Sequence, residues 1–163
     1  MSDSKKCYFC KYGEETASVK LSENLREYGC SIIHVFDTEP IFSYTIGVEA
    51  MSGKAEIIVP FLGHKMALNL LNQYNLFIKN GVEFNLDEVY SDFLPFISVN
   101  VVFKKVLKSK YDDYLGRAVE FYGDDTFEAW QMVLPDKQGL FPWDDGCREF
   151  FKREENIFFK KEW

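Results

Sequence analysis

Basic residues, histidines and cysteines are all scarce in this chain, and each scarcity narrows what it does. Lys and Arg total 19 against 26 Asp and Glu, a formal net charge of −7. A protein that tracks phosphates needs a basic stripe, and none is visible, so nucleic acid is excluded as the expected partner. Only two imidazoles exist, His34 and His64, and neither has a Ser or Cys beside it in a nucleophile turn. GxSxG, HExxH, P-loop and GxGxxG patterns are missing, which argues against familiar hydrolase, zinc-protease and nucleotide-hydrolysing chemistries. Four cysteines fit a reducing cytoplasm better than a disulfide scaffold. No apolar run reaches the length of a membrane span. The start, Met1-Ser2-Asp3-Ser4-Lys5-Lys6, leads into no apolar signal segment, so a cytoplasmic protein without a membrane partner is expected.

Aromatics, by contrast, are abundant at 17%, with sixteen Phe and nine Tyr. They imply either a bulky core or a sticky surface. The 163 residues suit one domain that spans the whole chain, with no repeat, low-complexity tract or linker.

Hydrophobic spacing predicts the elements. Ala17, Leu21, Leu25 and Tyr28 mark a helix over 14–28 stopped by Gly29. Strands are expected over 30–37 and 42–49, joined as a hairpin by the turn Asp37-Thr38-Glu39-Pro40. Residues 55–62 are apolar on both faces apart from Glu56, the mark of a central strand. Met66, Ala67, Leu70, Leu71, Tyr74, Phe77 and Ile78 define a helix over 63–80 that ends at Gly81. Residues 82–95 read as loop, 96–106 as a strand, 111–122 as a helix stopped by Gly123, and 127–134 as a last strand. This order predicts a single α+β domain whose mixed or largely antiparallel sheet is covered by helices at about 63–80 and 111–122. Its expected core includes Ile33, Val35, Ile46, Ile57, Val59, Leu70, Leu71, Val99, Val101, Met132 and Leu134.

Cys7-Tyr8-Phe9-Cys10 is the most chemical-looking motif, since two thiolates at this spacing supply half of a tetrahedral zinc site. The favoured reading is nevertheless a loose tail over 1–12, ahead of the metal half-site and then a redox pair. Cys30 and His34 do not both complete it, because four strand residues separate their Cα atoms by roughly 13 Å. One of them, or Cys147, remains a candidate third ligand.

Period-2 alternation places Ser43, Thr45 and Gly47 on one strand face, either a solvated surface or the wall of a polar pocket. Glu56 is either a paired, buried carboxylate or an exposed one, depending on where its strand begins. The segment from Gln131 to Gly146 reads as a strand running into a stiff loop. Pro135 and Pro142 restrict it, and Asp136, Asp144 and Asp145 are placed to lock its turns. This loop is expected to be ordered, with Phe141 and Trp143 folded back toward the 42–49 strand. A ligand or partner site would then be lined by Tyr44, Thr45, Gly47, Glu56, Gln131, Asp136, Trp143 and Asp144. The stretch 148–163 alternates Phe150-Phe151, Lys152-Arg153, Phe158-Phe159 and Lys160-Lys161 before Trp163. It reads as an arm that packs on the core or binds a partner.

Phe42-Ser43-Tyr44-Thr45-Ile46-Gly47, Glu56-Ile57-Ile58-Val59 and Pro135-Asp136 through Gly139 to Phe141-Pro142-Trp143-Asp144 carry a resemblance. With Cys7, Cys10, Leu70-Leu71-Asn72, Tyr114-Leu115-Gly116 and Phe121-Tyr122-Gly123, the chain resembles the bacterial DUF4262 family of uncharacterised proteins over about residues 7–146. Many relatives carry His-Pro where this chain has Lys54-Ala55, so a role for that histidine does not transfer. The resemblance implies no reaction. Two functions are therefore expected: a small acidic interaction module that docks another protein, of immunity or defence-accessory type, or a flavin- or nucleotide-like binding protein or oxidoreductase. The second would place its pocket between the 43–47 strand and the 135–146 loop.

Overall fold

The computed structural model describes residues 23–147. β1 (Ser31–Val35) and β2 (Phe42–Ile46) form the expected antiparallel hairpin, with Ile33 opposite Tyr44 and Val35 opposite Phe42. β3 (Glu56–Pro60) lies antiparallel to β2 and parallel to β6 (Ala129–Val133), and every one of its residues is buried. β5 (Val101–Lys105) runs antiparallel to β6, and the two-residue β4 (Val89–Tyr90) closes the far edge. The sheet order is β1-β2-β3-β6-β5-β4. One parallel pair among antiparallel ones makes the sheet mixed, within an α+β domain.

Helices cover both faces of this sheet. Val48–Ser52 forms the short helix α1, and His64–Lys79 forms the long helix α2. α2 lays Ala67, Leu70, Leu71, Tyr74 and Ile78 over Ile57, Val59, Val101, Phe103 and Met132. Their spacing keeps one stripe of the helix on the sheet while Leu76 stays in solvent. On the opposite face, Phe42, Tyr44, Ile46, Ile58 and Ala129 meet Tyr111, Leu115, Ala118 and Val119 from α3 (Tyr111–Tyr114) and α4 (Gly116–Tyr122). A strand between two such layers must be apolar on both sides, which is why β3 reads as a continuous hydrophobic run.

Several boundaries differ from the expected ones. The strand expected over 42–49 stops at Ile46, where Gly47 turns the chain at φ 104° into α1. The strand expected over 96–106 begins only at Val101. β4 reaches no further than the Tyr90–Val101 pair, so the preceding residues have no strand to lie beside. They form a loop closed by the Phe93 N–H donating to the Val99 carbonyl, leaving Phe96 65% exposed. The helix expected over 111–122 is two helices, broken where Leu115 leaves helical geometry at φ −117° and ψ 32°, after a 3₁₀ turn over Lys108–Lys110. Ile33, Val35, Val99 and Leu134 are half-buried at the margins of the core instead of inside it. Of the helix expected over 14–28, residues 23–28 are helical; the rest of that span, Cys7, Cys10 and the 148–163 arm lie outside the described residues.

The α2 packing generates a paired prediction. Leu70→Ala removes a fully buried side chain and should lower unfolding stability by about 2–5 kcal/mol. Leu76→Ala, on the solvent face of the same helix, should change it by less than about 0.5 kcal/mol. Urea denaturation followed by circular dichroism checks both; equal losses would mean that the buried stripe is misassigned.

Candidate functional site

The residues expected to line one site divide among three places. The first is a node around Glu56, which is completely buried at the start of β3. Gly47 adopts a conformation that favours glycine and turns the backbone amides of residues 47–49 toward this side chain. Glu56 Oε2 accepts from Gly47 N at 2.9 Å and Glu49 N at 3.3 Å, and Oε1 accepts from Val48 N at 3.2 Å. Thr45 Oγ1 donates to Oε1 at 2.7 Å while itself accepting from Ile57 N at 3.0 Å. The Tyr122 hydroxyl, from α4 on the far face, donates to Oε2. Five donors thus converge on one carboxyl group from β2, the β2–α1 turn and α4.

Burial pushes the Glu56 carboxyl above the usual carboxylate range, and the hydrogen bonds from Tyr122, Thr45 and the amides only partly offset it. Burial and the neighbouring Glu56 charge likewise raise the Tyr122 hydroxyl. Cys30, also buried, has its thiol pushed up to about 12 by burial and then by Glu56, so it is held as a neutral thiol. Such a thiol is a poor metal ligand at neutral pH. Glu56 has no exposed surface, and both its oxygens accept from neighbouring donors of the fold.

Thr45 and Ser43, expected to face solvent or a pocket, are instead buried on the α2 side of β2. The polar strand face is therefore interior, and its hydroxyls are spent inside the fold. Ser43 Oγ lies 2.7 Å from His34 Nδ1 on the neighbouring strand.

The second place is the 135–146 loop. Asp136 Oδ1 accepts from the amides of Gln138 and Leu140 at 2.9 Å each, and Asp144 Oδ2 accepts from the Phe141 amide at 2.9 Å. The carboxylates lock turns, as the sequence suggests. The loop does not fold back to β2, however. Phe141 packs on Val102 and Val133, and Trp143 stacks parallel to it at 5.2 Å with Lys104 Nζ 4.6 Å from its ring centroid. These anchors belong to β5 and β6; three strand spacings, roughly 14 Å, separate β5 from β2. Asp136, Trp143 and Asp144 therefore form a unit apart from Thr45, Gly47 and Glu56. Gln131 is buried within β6, paired in register with Ile58 and Lys104, between the two groups.

The third place includes Tyr44 and was not anticipated as a site. β1 and β2, with α3 and α4 beside them, frame an open groove of about 780 Å³. Phe42 and Tyr44 stack on its floor at 6.2 Å, and Tyr114 meets Phe42 edge-on at 5.4 Å. Phe36, 58% exposed, stands at one end. Asp37, Asp113 and Glu120 line the groove with Arg117, three acids to one base. Its outer wall, β1, is the last strand of the sheet among the described residues. Of the alternating face Phe42, Tyr44 and Ile46, Tyr44 was expected to line a site, but beside the 135–146 loop and not here. Among the described residues no three His, Cys, Asp or Glu side chains come together to hold a metal ion. No helix among the described residues is long and apolar enough to cross a membrane.

The family model described as a domain of unknown function, DUF4262, matches residues 24–148. The chain belongs to that family. No curated protein and no solved structure matches it significantly. The DUF4262 match spans the Glu56 node, the groove and the 135–146 loop alike.

The node predicts a direction of pH dependence. Because the folded Glu56 carboxyl is raised above its unfolded value near 4.3, its proton favours the folded state. Its stabilisation is complete below that unfolded value and is lost as pH rises through the folded one. The stability difference between wild type and Glu56→Gln should therefore shrink as pH is raised from 4 toward neutrality. Urea midpoints across that range check the sign; a difference that grows with pH would mean that the five donors outweigh burial. Tyr122→Phe removes one donor and should cost about 1–3 kcal/mol at neutral pH.

Proposed function

We propose that this DUF4262 protein is an interaction module that docks an extended, basic segment of a partner protein along the groove beside β1. The observation that carries this reading is the groove itself: an open, aromatic-floored channel along an edge strand, lined by Asp37, Asp113 and Glu120. An edge strand offers a row of backbone donors and acceptors to an incoming extended chain. Exposed Phe36, with half-buried Ile33, Val35 and Tyr114, supplies burial for apolar side chains, and the acids favour lysine or arginine between them. The net charge of −7 would draw in a basic partner from a distance.

The flavin- or nucleotide-binding alternative has less support. Phosphate groups need backbone amide nests or several cations. The groove sets one arginine against three acids, and the amides of residues 47–49 are occupied by Glu56. The pocket expected between residues 43–47 and the 135–146 loop would need two surfaces that lie in separate places.

Selection from a displayed random-peptide library tests the proposal. Enriched peptides should combine Lys or Arg with aromatic or branched apolar residues. Their binding should weaken with salt, and amide chemical shifts should move along β1 and α4. Asp113→Lys combined with Glu120→Lys should reduce affinity at least tenfold, a loss of about 1.4 kcal/mol, in a protein with unchanged circular dichroism. Enrichment of acidic peptides, or shifts confined to the 135–146 loop, would overturn it.

A further inference from the structure

The two histidines of the chain, thirty residues apart in sequence, meet at the surface. His34 projects from β1 and His64 opens α2, and their ring centroids lie 4.0 Å apart at an interplanar angle of 37°. Phe36 stacks beside both, at 5.9 Å from His34 and 6.2 Å from His64. The two imidazole rings meet at a tilt, in direct contact where β1 and the start of α2 come together. His64 is exposed, so its ring has room to swing.

The hydrogen bond of His34 completes the argument. Its Nδ1 sits 2.7 Å from Ser43 Oγ, and Ser43 is buried and fixed in β2. If Nδ1 carries the proton and donates it to that oxygen, Nε2 holds a lone pair aimed away from β2. A metal-binding imidazole is usually prepared in this way, with its second nitrogen donating to a fixed acceptor.

We propose that His34 and His64 together bind one borderline divalent cation of the Zn²⁺, Cu²⁺ or Ni²⁺ class, with water filling the remaining positions. Imidazole nitrogen is a preferred donor for these ions and a poor one for Mg²⁺ or Ca²⁺. Metal–nitrogen bonds of about 2.1 Å at tetrahedral angles place the two donors roughly 3.4 Å apart. Rings already in contact reach that separation by splaying, a movement that exposed His64 permits. Each nitrogen gives its lone pair, no redox change is involved, and any proton on a binding nitrogen goes to solvent. The bound ion would tie the start of α2 to β1, and its water-filled positions would accept a donor from outside the chain. This site requires neither the docking reading nor Cys7 and Cys10, although His34 and Phe36 also line the groove.

The test uses the full chain with Cys7→Ser and Cys10→Ser, so that those thiols do not compete. Calorimetric titration with Zn²⁺ at pH 7.5 should give one ion per chain, with affinity falling at acid pH as protons compete for the rings. His34→Gln and His64→Gln should each weaken binding at least tenfold, and Ser43→Ala by about tenfold through loss of the orienting acceptor. Copper-loaded protein should show paramagnetic-resonance coupling to two imidazole nitrogens, reduced to one in His64→Gln. That exposed substitution leaves the fold intact even if His34→Gln does not fold. Retained affinity in His64→Gln, coupling to a single imidazole in the parent protein, or no binding at millimolar Zn²⁺ would each overturn the proposal.

Discussion

A buried carboxyl group holds the centre of this fold together. Glu56 begins the central strand, yet its hydrogen-bonding partners come from β2, from the turn into α1 and from α4 on the far face. Placing such a group where no water reaches it is unfavourable unless its acceptor sites are filled. The surrounding backbone is arranged to fill them. β2 ends at Ile46 and Gly47 takes its positive φ, so that three successive amides face one side chain. Tyr122 crosses to the same oxygen from the other layer. Each of these features is explained by the carboxyl, and together they fix how the hairpin, the central strand and the α4 layer meet.

The two aromatic layers follow from that arrangement. With β3 and β6 buried on both sides, large side chains must serve both faces. On the α2 face, Tyr74, Phe84, Phe93 and Phe103 pack with centroid separations of 5.2–6.3 Å. On the other, Tyr111, Tyr122 and Phe127 do so at 4.8–4.9 Å. Such separations suit offset and edge-on aromatic pairing. Among the described residues, most Phe and Tyr side chains belong to these core layers. What reaches solvent, Phe36 and Phe96 above all, is a small remainder near the two edges of the sheet.

How much the sequence disclosed depended on whether a contact is local. The α2 helix was legible almost to the residue because its apolar stripe repeats every 3.6 residues over four turns. The β1–β2 hairpin and the buried β3 followed from period-2 alternation and a continuous apolar run. Phe96 and Ile97 misled because alternation measures fitness for a strand, and no partner strand extends beyond Val101. Leu115 hid a helix break, since the hydrophobic spacing continues across it. Glu56 was flagged but undecided: a shift of one residue in the start of β3 exchanges core for solvent. Gly47 was read as a place for a ligand to approach. What approaches is the protein's own carboxylate. The His34–His64 contact and the groove depend on tertiary placement and left no local signature.

Acidic residues illustrate the same distinction between local and assembled roles. Asp136 Oδ1 and Asp144 Oδ2 accept from amides two to four residues away, and this turn chemistry accounts for their place beside Trp143. Asp37, Asp113 and Glu120 come from three separate places in the chain and line a common concavity. Turn carboxylates are explained once their loop is built. The groove carboxylates stand there with Arg117, so the acidic character of the groove arises only once β1, α3 and α4 are assembled.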